Sequence, residues 1–252
     1  MNKILNRLTS GTLFELIFSL YIHFMLFLMI AICYLMAIIA SPFDRLLQAR
    51  GQSVNMVIQR LSRIYVFFST IKVVAKGREN LIGQGPCIIV SNHQSMIDYI
   101  VLLAAIAPKQ FRFLTKNEML RWPLVGRIIQ LGQHGAVDRS NPRQSFRALQ
   151  NGIENVGKGD SFIIFPEGTR SVDGSISEFK EGAFYLAIKA GVPVIPVKIS
   201  GTRDVYDSRK SLFVRRSIIS ISVGIAEQTT NMTEDNIGEL ALRLESRIKA
   251  MS

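Results

Sequence analysis

The chain has 252 residues, of which 48% are hydrophobic, and carries a net charge of +11 with a pI of about 10.0. That length and apolar share supply one well-packed domain with an appendage, and the charge calls for a polyanionic partner: nucleic acid, anionic lipid or a phosphorylated substrate. Two widely separated cysteines, Cys33 and Cys87, give neither metal-ligand spacing nor a disulfide framework, and three histidines are too few for a multi-His metal site.

From Leu16 to Phe43 the chain has no Asp, Glu, Lys or Arg. The stretch exceeds the roughly 20 residues that cross a bilayer core as a helix and the roughly 7–15 apolar residues of a signal peptide. It reads as a spanning helix or as a long helix or bent pair held in one leaflet. Pro42 ends the apolar run. Lys3 and Arg7 precede it, and Arg45, Arg50, Arg60 and Arg63 follow closely, a bias that puts the bulk of a spanning chain in the cytoplasm. Residues 44 to 68 read as a basic amphipathic helix with Leu46, Val54, Ile58, Leu61, Tyr65 and Phe68 near one face, interrupted by Gly51. Its charges suit a membrane surface or an ordinary solvated face.

Beyond Ile71 the pattern alternates. Strands are expected at Ile71–Ala75, Cys87–Val90, Phe111–Thr115, Ser161–Phe165, Val192–Ser200 and Ser217–Val223. Helices are expected at Asp98–Ala107, Pro142–Val156 and Lys180–Ala190, with Asn141 as an N-cap and Gly191 as a left-handed C-cap; a last helix follows Thr233. Such alternation indicates an α/β domain with a largely parallel or mixed sheet. Two regions result: an N-terminal membrane-anchoring segment, 1–68, and an α/β domain, 69–252, which carries the candidate chemistry.

Two stretches carry chemistry. Ser91-Asn92-His93-Gln94-Ser95-Met96-Ile97-Asp98 leaves one expected strand and opens a helix. Five residues rotate an ideal helix by about 500°, so His93 and Asp98 meet only if His93 lies in the loop and Asp98 in the first turn. Asp98 would then bind one imidazole nitrogen and leave the other as a base. By itself the pair also reads as a polar helix start with a capping carboxylate. Phe165-Pro166-Glu167-Gly168-Thr169-Arg170-Ser171 leaves another strand. Arg170 can grip phosphate oxygens, Gly168 admits close backbone approach, and Glu167 is expected to orient Arg170 or bind a substrate hydroxyl. An ordinary strand-to-loop turn is the plainer reading. His134 reads as a polar residue near the site with no named partner.

Asn92-His93-x-x-x-x-Asp98 followed by Phe-Pro-Glu-Gly-Thr-Arg-Ser resembles the glycerolipid acyltransferase family, most closely its 1-acyl-sn-glycerol-3-phosphate acyltransferases. Lys116-Asn117-Glu118-Met119 with Pro123 and Gly126, then Val137-Asp138-Arg139, and Val192-Pro193-Val194-Ile195-Pro196-Val197 are similar to further family segments, in order, over residues 70 to 203. The resemblance implies an αβα layered domain with a central mixed sheet behind an N-terminal membrane-embedded helical segment. It implies His93 as general base oriented by Asp98, and Glu167, Gly168, Thr169 and Arg170 holding the acceptor, with Lys116 and Arg139 as further phosphate contacts. The donor would be acyl-coenzyme A or acyl-carrier protein, the acceptor lysophosphatidic acid at the lipid bilayer, and no cofactor, metal or nucleic acid would take part. A bacterial inner membrane, catalytic domain to the cytoplasm, is the expected location. Other lysophospholipid acceptors, or a thioesterase or esterase using the same His–Asp pair, are the competing readings. Ser95 is expected to cap or pack, and Cys87 to pack in a strand.

Overall fold

The computed structural model describes residues 10–108, 110–138, 140–206 and 218–251. Lys3, Arg7, Arg139 and Ser217 lie outside the described residues. The first helix, α1 (Ser10–Leu46), runs through Pro42 and ends beyond it. Proline lacks the N–H that would bond the carbonyl four residues back, but the Ser41 hydroxyl donates to that carbonyl, Ile38 O, at 3.2 Å. A turn then leads to α2 (Gln52–Phe68), so the helix expected from residue 44 is divided. Asp44, at the end of α1, caps α2 by accepting from the N–H groups of Ser53 (3.0 Å) and Val54 (3.4 Å). Gly51 at the bend has φ 77°, and a Cβ there would lie 2.9 Å from the backbone of Leu131 and Gly132. Only glycine permits that approach.

The sheet is mixed and seven-stranded, with order β1-β7-β6-β2-β5-β3-β4. Its members are β1 (Lys72–Lys76), β2 (Ile88–Ser91), β3 (Phe111–Lys116), β4 (Gly135–Val137), β5 (Ser161–Ile164), β6 (Val194–Ser200) and β7 (Ile218–Val223). The β6–β7 pair is antiparallel and the others are parallel. Both faces are covered, as a mostly parallel sheet requires. On one face Ile89, Ile163, Ile195 and Ile221 pack with Phe18 and Ile22 of α1, Tyr65 of α2, and Val101 and Leu102 of α3 (Asp98–Ala105). A short helix, α4 (Val125–Leu131), follows β3, and a longer one, α5 (Pro142–Gly157), follows β4. On the opposite face Ile88, Val90, Phe162 and Ile164 pack with Val156 of α5, Phe184 and Leu186 of α6 (Gly182–Ala190), and Leu240 and Leu244 of the final helix. A short helical turn, α7 (Thr202–Val205), precedes β7, and the final helix is α8 (Ile237–Ala250).

The expected caps are present: Asn141 accepts from the Gln144 N–H at 3.1 Å, and Gly191 is left-handed. β4 and α4 had no separate signal, because three residues and seven residues are too short to show a period. The 68/69 division falls just before β1, yet Phe18, Ile22 and Tyr65 share one core with the sheet. Much of the remaining α1 surface is apolar and exposed, including Leu20, Phe24, Phe27, Leu35, Ile39 and Phe43. The segment Leu16–Leu46 is long and apolar enough to cross a bilayer. On α2 the buried side is partly polar, with Asn55 and Ser62 buried and Phe68 exposed.

A buried ion pair joins the helical hairpin to the sheet. Arg112 is fully buried and donates to Asp160 (2.8 Å) and to the carbonyls of Gly132 (2.9 Å), Gln133 (2.7 Å) and Arg50 (2.8 Å). Arg50 reaches the same carboxylate at 3.3 Å and the Lys158 carbonyl at 2.8 Å, so this charge serves the fold. Asp160→Ala would strand the Arg112 charge and should cost about 3–5 kcal/mol of stability, read as a lowered denaturation midpoint in detergent micelles.

Candidate active site

β2 and β5 are parallel neighbours, so the loops leaving their carboxyl ends lie side by side, where open α/β sheets bind ligands. His93 stands in the loop after β2, and Asp98 is the first residue of α3. The imidazole Nδ1 lies 2.8 Å from Asp98 Oδ2. The same oxygen accepts from the N–H groups of Gln94 (2.6 Å) and Ser95 (2.9 Å), and the Asp98 side chain is fully buried. A carboxylate so placed holds the proton on Nδ1 and leaves Nε2 with the lone pair. The ring is stacked on Phe165 (4.1 Å between centroids, 5° between planes), and Tyr99 meets both rings edge-on.

Asn92 fastens the loop from below: its amide donates to Ile199 O (2.9 Å) and accepts from Ile199 N–H (2.8 Å). The turn after β5 clasps it from the side. His93 N–H donates to Glu167 Oε1 at 2.7 Å, while Ser171 N–H donates to His93 O at 2.8 Å. Gly168 has φ 72°, which the turn needs and which other residues resist. Glu167 is 4% exposed, and its second oxygen accepts from Ser177 N–H at 2.9 Å. Burial raises its carboxyl above the usual range, against the opposing pull of those two N–H donors. Ser95 donates its hydroxyl to Tyr206 O (2.5 Å), and Cys87 is 2% exposed with burial raising its thiol.

A cavity of about 540 Å³ opens beyond these strand ends. His93, Gly168, Thr169, Arg170 and Lys116 all line it, so the structure brings together most of the residues expected to form a site. Lys116, at the end of β3, also pairs with Glu118 at 2.8 Å. The apolar wall includes Met96, Tyr99, Leu114, Met119, Trp122 and Leu149. Lys180 lines the cavity as well, where the sequence pattern reads it as the first residue of the helix ending at Ala190. The helix starts at Gly182, and Lys180 N–H bonds Pro166 O at 3.0 Å, folding the residue back beside the turn. Its cation next to a phosphate-type turn was the available signal.

His134 is placed elsewhere. It lines a separate cavity of about 300 Å³, packs against Phe113, and accepts the Phe113 N–H on Nδ1 at 3.2 Å. The residue is half-buried and its Nε2 is out of solvent; burial, helped by the Arg112 charge, lowers its pKa to about 3.

The fold and the site define an α/β enzyme-like centre in which a carboxylate-held imidazole faces an apolar cavity with basic residues on its wall. The chain belongs to the acyltransferase family, whose model matches residues 72–200. It is 35% identical over 166 residues to the chloroplastic 1-acyl-sn-glycerol-3-phosphate acyltransferase BAT2 of Brassica napus, covering 66% of this chain and 48% of that protein. It is 31% identical over 213 residues to 1-acyl-sn-glycerol-3-phosphate acyltransferase beta of Homo sapiens, covering 83% of this chain and 76% of that protein. The crystal structure of the 1-acyl-sn-glycerophosphate (LPA) acyltransferase PlsC from Thermotoga maritima superposes with a TM-score of 0.76 at 26% identity, covering 96% of this chain and 98% of that one. The chain spans about half the length of the plant chloroplast relatives it matches.

His134 predicts an acid sensitivity separate from the site. Its folded pKa lies below the ordinary value near 6.5, so between about 3 and 6.5 the unfolded chain binds the extra proton. Stability attributable to this group is complete above 6.5 and falls as pH drops, by about 2 kcal/mol at pH 5. Denaturation midpoints at pH 7 and pH 5 should differ less in His134→Asn than in the wild type.

Proposed function

We propose that this protein transfers a fatty acyl group from an acyl thioester to the free hydroxyl of 1-acyl-sn-glycerol 3-phosphate, forming phosphatidic acid. The observation that carries the reading is His93 held by Asp98 on a cavity shared with Lys116, Arg170 and Lys180. His93 Nε2 takes the hydroxyl proton as the oxygen attacks the thioester carbonyl. The new C–O bond forms, the C–S bond breaks, and the proton passes from the imidazolium to the departing thiolate. Asp98 stabilises the imidazolium while it exists. A thioester is already activated, so no acyl-enzyme is required.

Arg170 and Lys116 hold the acceptor phosphate, joined by Lys180, with Gly168 and Thr169 shaping the turn around it. Arg139 is a further phosphate contact in this reading. The apolar wall takes acyl chain, and the donor is acyl-coenzyme A or acyl-carrier protein. The exposed apolar surface of α1 seats the protein in the bilayer where lysophosphatidic acid resides, with the catalytic domain on the cytoplasmic side of a bacterial inner membrane.

Acyl transfer in vesicles, with labelled acyl-coenzyme A and acyl-carrier protein each offered to lysophosphatidic acid, glycerol 3-phosphate, lysophosphatidylcholine or no acceptor, tests this directly. Phosphatidic acid should form selectively. His93→Ala should lower the rate by at least about a thousandfold. Arg170→Ala should raise KM for lysophosphatidic acid by about tenfold or more. Product mainly from another acceptor, or fatty acid released with none, would overturn the proposed reaction.

A further inference from the structure

Glu167 belongs to the most chemically suggestive stretch of the chain, yet its side chain turns away from the cavity. Phe165, Pro166, Gly168, Thr169 and Arg170 line that cavity, and Glu167 between them does not. Its two carboxylate oxygens face two different backbone segments. Oε1 accepts from His93 N–H at 2.7 Å, and Oε2 from Ser177 N–H at 2.9 Å. Ser177 lies in the strap between Ser171 and α6, which also carries Lys180.

The strap has other ties as well, including the buried Phe179 side chain and the turn bonds around Asp173. Phe179 N–H donates to Glu245 of α8 at 2.8 Å, and Lys180 N–H to Pro166 O at 3.0 Å. At its start Ser171 N–H returns to His93 O at 2.8 Å. One buried carboxylate thus bonds both the imidazole loop and the Lys180 strap. A buried acceptor that satisfies two N–H donors fixes both segments at once, and losing either bond leaves a buried donor unpaired.

We propose that Glu167 is a positioning residue that sets His93 relative to the strap carrying Lys180 and does not contact the acceptor. The inference rests on the acyl transfer proposed above. It assigns the reacting geometry to Glu167 and acceptor binding to the cations. The conservative change Glu167→Gln keeps the shape of the side chain but leaves one acceptor for two donors, turning an amide NH2 toward the other N–H. Small displacements of a reacting group reduce turnover strongly while leaving remote binding contacts in place.

Two measurements test this on the full chain in detergent. In the kinetic one, Glu167→Gln should lower kcat by about a hundredfold with KM for lysophosphatidic acid within about twofold of wild type. A KM raised about tenfold at near-normal kcat would make Glu167 an acceptor contact and overturn the proposal. In the second, amide hydrogen exchange should quicken at His93 and Ser177 while Ile88–Val90 and Phe162–Ile164 stay protected. Unchanged exchange at both amides would overturn the tie, and lost protection in β2 and β5 would make Glu167 a support of the whole fold. Wild type without acyl transfer would refute the reaction, and the exchange result would still decide whether Glu167 joins the two segments.

Discussion

The reciprocal clasp between the His93 loop and the turn after β5 is the constraint from which the site follows. It exists because β2 and β5 are adjacent and parallel, so both chains emerge at the same end of the sheet and travel the same way. His93 N–H donates to Glu167 and His93 O accepts from Ser171, so the backbone of the imidazole-bearing residue is fixed on both sides. Asn92 adds a third restraint, its amide meeting both polar groups of Ile199 on β6. The side chain is then set by Asp98 and by the stack on Phe165. In the proposed reaction, a base held in this way loses little entropy on reaching its reacting position.

How much of this was readable from the sequence depends on the range of the interaction. The His93–Asp98 arrangement was legible because it is local: a five-residue spacing with a helix start admits one geometry in which the two meet. The turn was legible as chemistry for the same reason. Glu167 was not legible in detail, since its bonds to His93 and Ser177 depend on strand order that no local pattern encodes. Arg112 reads in sequence as an ordinary charge within a strand and proves to be fully buried, bonded to carbonyls from two distant turns. Lys180 was hidden by a helix boundary two residues too early, the least certain feature of any periodic pattern. Pro42 ends the apolar run but not its helix, which continues to Leu46 through a side-chain substitute for the missing bond.

The N-terminal hairpin carries an exposed apolar surface and is also part of the core. Phe18, Ile22 and Tyr65 pack with the sheet, while Leu20, Phe24 and Phe27 stay uncovered. Its bend is locked by Gly51 against the end of α4 and by Arg50 on Asp160, the carboxylate that also neutralises Arg112. An appended anchor would need none of these ties. With them, in the proposed membrane seat, the depth of α1 in lipid would fix the height of the cavity above the same surface.

That fixed height bears on the chemistry of an amphiphilic acceptor. The cavity has both qualities such a molecule needs: an apolar wall from Met96, Tyr99, Leu114 and Trp122, and cations from Lys116, Arg170 and Lys180. A phosphate monoester is a compact dianion and gains from several cations together, whereas a zwitterionic headgroup would set its own cation among them. Lys116 has Glu118 beside it, which tempers its charge. Arg170 and Lys180 are the two further cations of the proposed phosphate site, carried by the turn and by its strap. In the proposed reaction, the clasp around Glu167 holds the imidazole beside the turn and strap that carry these cations.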